Sequence, residues 1–169
     1  MRSATAGELP ACREIERRAG QLFIDVGMPE IAAHEPMPLD EMAEYQHDGR
    51  AWIAVTDDGG PGSVVGYAIA LAVDGNGHLE QISVDPEFGR RGIGRALIET
   101  VVTWAAAQGY DGVTLTTFRD VPWNAPYYRT CGFEDMADGE LGPELRALVV
   151  EEAGYGLDPA KRVCMRRRI

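Results

Sequence analysis

The stretch over residues 78–97, H-L-E-Q-I-S-V-D-P-E-F-G-R-R-G-I-G-R-A-L, constrains the fold more than any other part of the chain. It predicts a strand over 79–84, a break at Asp85-Pro86, and a loop of glycines and arginines that opens a long helix over 94–108. Proline ends the strand because it lacks the N–H that a ladder needs. The first turn of a helix leaves N–H groups unpaired and carries the positive end of the helix dipole. Such a terminus is suited to phosphate. Arg90, Arg91 and Arg95 place three cations within six positions around it, in a chain whose formal net charge is −11. The pattern reads as an anion-binding loop rather than a solvated turn.

The flanking sequence predicts the rest of an α/β domain. Leu9, Ile15, Ala19, Leu22, Phe23 and Val26 recur at helical spacing, and Gly27 can stop that helix. Residues 28–38 carry three prolines and read as a loop, and 39–46 as a short helix. Strands are expected over 51–56 and 64–73, joined by a turn at 57–62, with a second turn at 74–77. Beyond the long helix, a strand is expected over 112–117, a short helix over 123–130, a strand starting at Gly132-Phe133, a helix over 143–153 and a closing strand over 162–168. That order implies a mixed sheet within one domain, 1–169, large enough to bury about two thirds of its unfolded surface.

Several function classes are disfavoured. Net charge −11 and a pI near 4.7 repel nucleic acid and anionic membranes, and favour amine-bearing partners. Cys12, Cys131 and Cys164 are scattered and odd in number, as in a reducing compartment. His34, His47 and His78 have no metal-ligand spacing, so no metal is expected. The first residues lack an apolar secretion core, and no apolar run approaches the ~20 residues of a membrane span. These features suggest a cytoplasmic protein.

Three anion-binding patterns compete for the loop. A Walker A loop needs Lys-Ser or Lys-Thr, which is absent. A dinucleotide fingerprint starts with Gly92 and Gly94, but Leu97 stands at the third glycine. The third pattern fits: a strand ending Val84-Asp85-Pro86, then Arg91-Gly92-Ile93-Gly94-Arg95-Ala96, resembles the acetyl-CoA signature of the GNAT N-acetyltransferase superfamily. Downstream, Tyr128-Arg129-Thr130-Cys131-Gly132-Phe133 resembles that family's Y-x-x-x-G-F, and the resemblance spans roughly Trp52 to Phe133. The chain as a whole is similar to a bacterial subfamily.

The resemblance implies a GNAT fold, with a mixed and mostly antiparallel sheet, splayed central strands and flanking helices. It implies acetyl-CoA as co-substrate and a primary amine, on a small molecule or a peptide, as acceptor. The backbone of Ile82, Ser83 and Val84 would pair with the pantetheine arm. The diphosphate would sit on Arg90, Arg91, Gly92, Ile93, Gly94 and Arg95. Tyr128 matches the family's general acid. Asn124 stands four residues before that tyrosine, and either a cofactor contact or a helix cap suits it. Strand alternation places Glu80 with Ile82 and Val84 on one face, expected to be interior. A carboxylate there is unusual, and Glu80 is the candidate general base, with His78 as the runner-up. Trp123 is a candidate for lining the acceptor pocket. Cys131 is expected to be buried, and Arg166-Arg167-Arg168 to be a solvated strand end. The first fifty residues hold ten acidic and five basic side chains, a solvated face or a lure for cationic acceptors. A homodimer and a catalytically silent acyl-CoA sensor are both compatible with the sequence.

Overall fold

The computed structural model describes residues 1–58, 60 and 62–169. Of the turn expected over 57–62, Gly59 and Pro61 lie outside the described residues. Over the described residues the fold is mixed α/β, with seven strands in a mostly antiparallel sheet and flanking helices, as expected. The chain gathers into two compact units, Met1–Ala70 with Gln81–Thr100, and Leu71–Glu80 with Val101–Ile169.

In the first unit, strand β1 (Arg2–Ser3) pairs antiparallel with β2 (Ala51–Thr56), and β2 pairs antiparallel with β3 (Ser63–Val73). The next neighbour of β3 is β4 (Asn76–Val84). Helix α1 (Leu9–Gly20) buries Leu9, Cys12 and Ile15, and α3 (Leu39–His47) buries Met42. Leu9, Cys12 and Met42 share one core with Ile53, Tyr67 and Ile69. The sequence missed β1, which has only two residues. It also missed α2 (Pro29–Ala32), where the proline occupies a first-turn position that needs no N–H donor.

One glycine sets how closely the first turns of α4 (Ile93–Ala107) approach the strands. A Cβ at Gly66 of β3 would lie 3.0 Å from the Ser83 carbonyl oxygen and 3.3 Å from both Ile93 and Leu97 side chains. Its absence lets the start of α4 lie against β3 and β4, at the point where the arginine-rich loop begins.

In the second unit, β4 pairs in parallel with β5 (Gly112–Phe118) at Gly77↔Val113 and His78↔Thr114. Strand β5 pairs antiparallel along its whole length with β7 (Arg162–Arg168), which also pairs with β6 (Glu134–Asp135). Val113, Leu115, Phe133, Leu145 and Met165 are buried in this unit. Asp74 caps α6 (Pro143–Gly154) by accepting from Glu144 N at 3.1 Å and Leu145 N at 2.9 Å, an anion on the positive end of a helix. The closing arginines are less solvated than expected. Arg166 pairs with Glu140 at 3.2 Å, and Arg167 donates to the Cys131 carbonyl at 3.0 Å.

Candidate active site

The arginine-rich loop lies wholly in the first unit. Asp85 ends β4, and its Oδ1 accepts from Glu87 N at 3.2 Å to start a single 3-10 turn over Pro86–Phe88. The chain then passes through two left-handed residues, Arg90 at φ 60° and Gly92 at φ 80°. Glycine adopts that region freely, whereas an arginine is held there at a cost of order 1–3 kcal/mol. Ala96 N donates to Gly92 O at 3.0 Å, which closes the first turn of α4. The first N–H groups of a helix, here from Ile93 on, have no carbonyl partner one turn back. Arg90, Arg91 and Arg95 are exposed around this end. Arg91 already has two contacts: its Nη1 lies 3.0 Å from Asp58 Oδ2, and its guanidinium stacks over the Phe88 ring at 5.0 Å. An anion at the loop would compete with Asp58 for this arginine.

Upstream of the loop, Ser83 is buried, while Ile82 and Val84 are half-buried. The Ile82 N–H donates to the Gln81 side-chain carbonyl at 3.1 Å. Gln81 Nε2 in turn donates to Glu16 Oε1 at 2.7 Å, and the buried Tyr67 hydroxyl donates to Glu16 Oε2 at 2.6 Å. The sequence reading missed this trio. Its one visible signal was a tyrosine inside an apolar strand, since a buried phenol needs a hydrogen-bond partner.

The second unit holds the two residues expected to move protons. Helix α5 (Ala125–Thr130) carries Tyr128, which is buried between Tyr127 at 5.9 Å and Phe133 at 5.8 Å, ring centre to ring centre. Burial, reinforced by Tyr127 and Cys131, pushes its phenol above the ordinary tyrosine range, so it stays protonated at neutral pH. Asn124 occupies the position before α5 but does not cap it with its side chain. Its Oδ1 is buried without a hydrogen-bond partner, so the capping alternative loses its support. Cys131 is buried as expected, and Trp123 is half-buried.

Glu80 corrects the strand-face expectation. Its face is not interior at this level: the residue is exposed, and its side chain retains 31% of its accessible surface. Buried Leu79 and Ser83 mark the covered face instead, and Glu80 lies past the last β4–β5 pair at His78↔Thr114. An apolar Ile82 and Val84 suggested burial, but both are only partly covered.

His78 is buried, and its Nδ1 hydrogen-bonds Thr114 Oγ1 at 2.9 Å. Its Nε2 lies 3.9 Å from Glu80 Oε2. Burial, with the Arg162 charge as a second cause, lowers its pKa to about 4. The ring is therefore neutral at pH 7 and a weak base. Arg162, on β7, donates to Thr116 Oγ1 and Glu152 Oε1 at 2.8 Å each, and stacks over Phe118 at 5.1 Å. A cavity of about 480 Å³ also lies in this unit, with Asn76, Thr114 and Arg166 in its wall. Neither Glu80 nor Tyr128 lines it. Among the described residues no cluster of side chains suits a metal ion, and no helix is long and apolar enough to cross a membrane.

Comparison with known proteins bears on this arrangement. Residues 10–133 match the sequence profile of the Acetyltransferase (GNAT) family. Among solved structures, the chain is similar to the Mycobacterium tuberculosis protein Rv2747, solved in complex with CoA, at 18% identity and a TM-score of 0.70, covering 99% of this chain and 98% of that one. It is similar to the PaiA N-acetyltransferase of Thermoplasma acidophilum, solved in complex with coenzyme A, at 16% identity and a TM-score of 0.64, covering 99% and 97%. The ribosomal-protein-S18-alanine N-acetyltransferase of Escherichia coli matches at 22% identity and a TM-score of 0.62, covering 99% and 91%. At these identities the likeness establishes the fold.

Proposed function

This chain belongs to the GNAT acetyltransferase family, and we propose that it transfers an acetyl group from acetyl-CoA to a primary amine, on a small molecule or a peptide, by direct attack. The observation that carries the reading is the loop at the start of α4, where Arg90 and Gly92 turn left-handed and three exposed arginines surround the first turn of the helix. We take residues 1–169 to act as one catalytic domain, in the cytoplasm.

The residues present fit coenzyme A. The N–H groups of Gly92, Ile93, Gly94 and Arg95, with the Arg90, Arg91 and Arg95 side chains, suit a diphosphate. The backbone of Ile82, Ser83 and Val84 offers a strand edge to the amide-bearing pantetheine arm. The buried, unpartnered Asn124 Oδ1 is an acceptor in want of a donor. Bound acetyl-CoA supplies the activated thioester carbonyl.

The acceptor must attack as a neutral amine. An alkylammonium of pKa about 10.4 is only about 0.04% neutral at pH 7, so deprotonation costs about 4–5 kcal/mol, against about 1 kcal/mol for an α-amine near pKa 8. Glu80 takes that proton, directly or through water, and its exposure lets it return the proton to solvent. His78 serves this step poorly, because its pKa of about 4 leaves it a weak base. Tyr128, kept protonated by burial, donates to the departing thiolate.

The test is thiol release from acetyl-CoA across a panel of peptides, polyamines and aminoglycosides. Amine-dependent release supports acetyl transfer. CoA binding without release by any amine would favour a catalytically silent acyl-CoA sensor.

A further inference from the structure

Gln81 follows Glu80 on β4, and the proposed chemistry gives it no task. Its amide bridges two groups. The carbonyl oxygen accepts from Ile82 N at 3.1 Å, and Nε2 donates to Glu16 Oε1 at 2.7 Å. Glu16 is fixed from its other oxygen by the Tyr67 hydroxyl at 2.6 Å. Tyr67 is 1% exposed, and burial together with the Glu16 charge holds its phenol well above the usual range, so it remains a donor at every physiological pH.

The N–H that Gln81 occupies has a particular direction. Successive N–H groups of a strand point to alternate edges. Asp85 N donates to Val65 O of β3 at 2.9 Å. By that alternation the Ser83 N–H also faces β3, and the Ile82 and Val84 N–H groups face the other edge. That edge is where an added strand-like ligand would bond. A side chain that folds back on the next N–H of its own strand satisfies a donor that an incoming carbonyl would otherwise meet.

We propose that Gln81 is an affinity-setting latch on the cofactor edge of β4: its carbonyl holds the Ile82 N–H that the pantetheine arm needs, and Glu16, locked by Tyr67, holds the latch shut. The inference rests on the acetyl-CoA reading given above. Binding then exchanges one hydrogen bond for another, and the Gln81 carbonyl is displaced from Ile82. Coenzyme A therefore binds more weakly than an open strand edge would allow, and the Glu16 anchor sets how much more weakly.

The experiment compares CoA binding by calorimetry in the wild type, Gln81→Ala and Glu16→Gln, with backbone amide exchange at Ile82 as a second readout. A net hydrogen bond of ordinary strength predicts a Kd about 3- to 10-fold tighter in Gln81→Ala. Glu16→Gln, which weakens the anchor and leaves the latch, is expected to fall between the two. Without CoA, the Ile82 amide is protected from exchange in the wild type and unprotected in Gln81→Ala; CoA restores protection. A Gln81→Ala protein that binds CoA no more tightly than the wild type overturns the latch and leaves acetyl transfer standing. So does an Ile82 amide that exchanges equally in both proteins. Absence of CoA binding in every protein overturns both readings.

Discussion

Arg18 Nη2 lies 2.7 Å from Asp85 Oδ2 and ties α1 to the turn from which the arginine-rich loop departs. The carboxylate end is almost fully covered, at 6% side-chain exposure, while the arginine is half in solvent. The same carboxylate starts the 3-10 turn through Glu87 N. Asp85→Ala removes both bonds and leaves the Glu87 N–H without its partner. The expected loss of stability is about 2 kcal/mol, read from a urea titration, with weaker CoA binding as a consequence. An unchanged unfolding midpoint would show that the turn holds without its carboxylate.

Gly66 admits the start of α4. Alanine there meets the Ser83 carbonyl oxygen at 3.0 Å, and a backbone atom yields less easily than a side chain. Gly66→Ala is expected to cost about 1–3 kcal/mol and to weaken CoA binding by moving the first turn of α4. Calorimetry and thermal unfolding on the same sample report the two effects separately.

The buried His78 makes stability depend on pH in a defined window. Its folded pKa of about 4 lies below the ordinary 6.5, so the unfolded chain binds the extra proton between those values. The contribution is complete above about pH 6.5 and is lost as pH falls toward about 4, amounting to about 3 kcal/mol. Urea midpoints measured from pH 4.5 to 7.5 should fall more steeply on acidification in the wild type than in His78→Gln. Equal slopes would place the ring in solvent contact.

Tyr128→Phe should lower kcat by about 10²- to 10⁴-fold with little change in the Kd for CoA. Glu80→Gln should depress the rate most at low pH with an alkylamine acceptor, and less with an α-amine that deprotonates readily. Stopped-flow thiol release over a pH series separates the two residues. A Tyr128→Phe enzyme of normal rate would reduce that tyrosine to packing.

Local chemistry made much of this legible in the sequence. Pro86 and the left-handed Gly92 announce their backbone states by residue type, so the strand, the break and the helix after them could be read directly. Burial was harder. The spacing of Glu80, Ile82 and Val84 suggested one shared strand face, but what covers a face depends on neighbours distant in sequence. Gln81, Glu16 and Tyr67 were illegible for the same reason: 65 residues separate Glu16 from Gln81, and only folding brings them within hydrogen-bond reach. Asn124 was legible as a position, but only the folded chain shows that its side chain does not cap α5.

The diphosphate grip at residues 90–95 underlies the whole account, and one titration tests it most directly: coenzyme A against pantetheine, which has the same arm without the diphosphate, by calorimetry at matched ionic strength. The account predicts micromolar-range binding of coenzyme A, weakened by added salt as surface charges are screened, and binding of pantetheine at least about 100-fold weaker. Equal affinity for the two compounds, or no heat with coenzyme A at millimolar concentration, would contradict it.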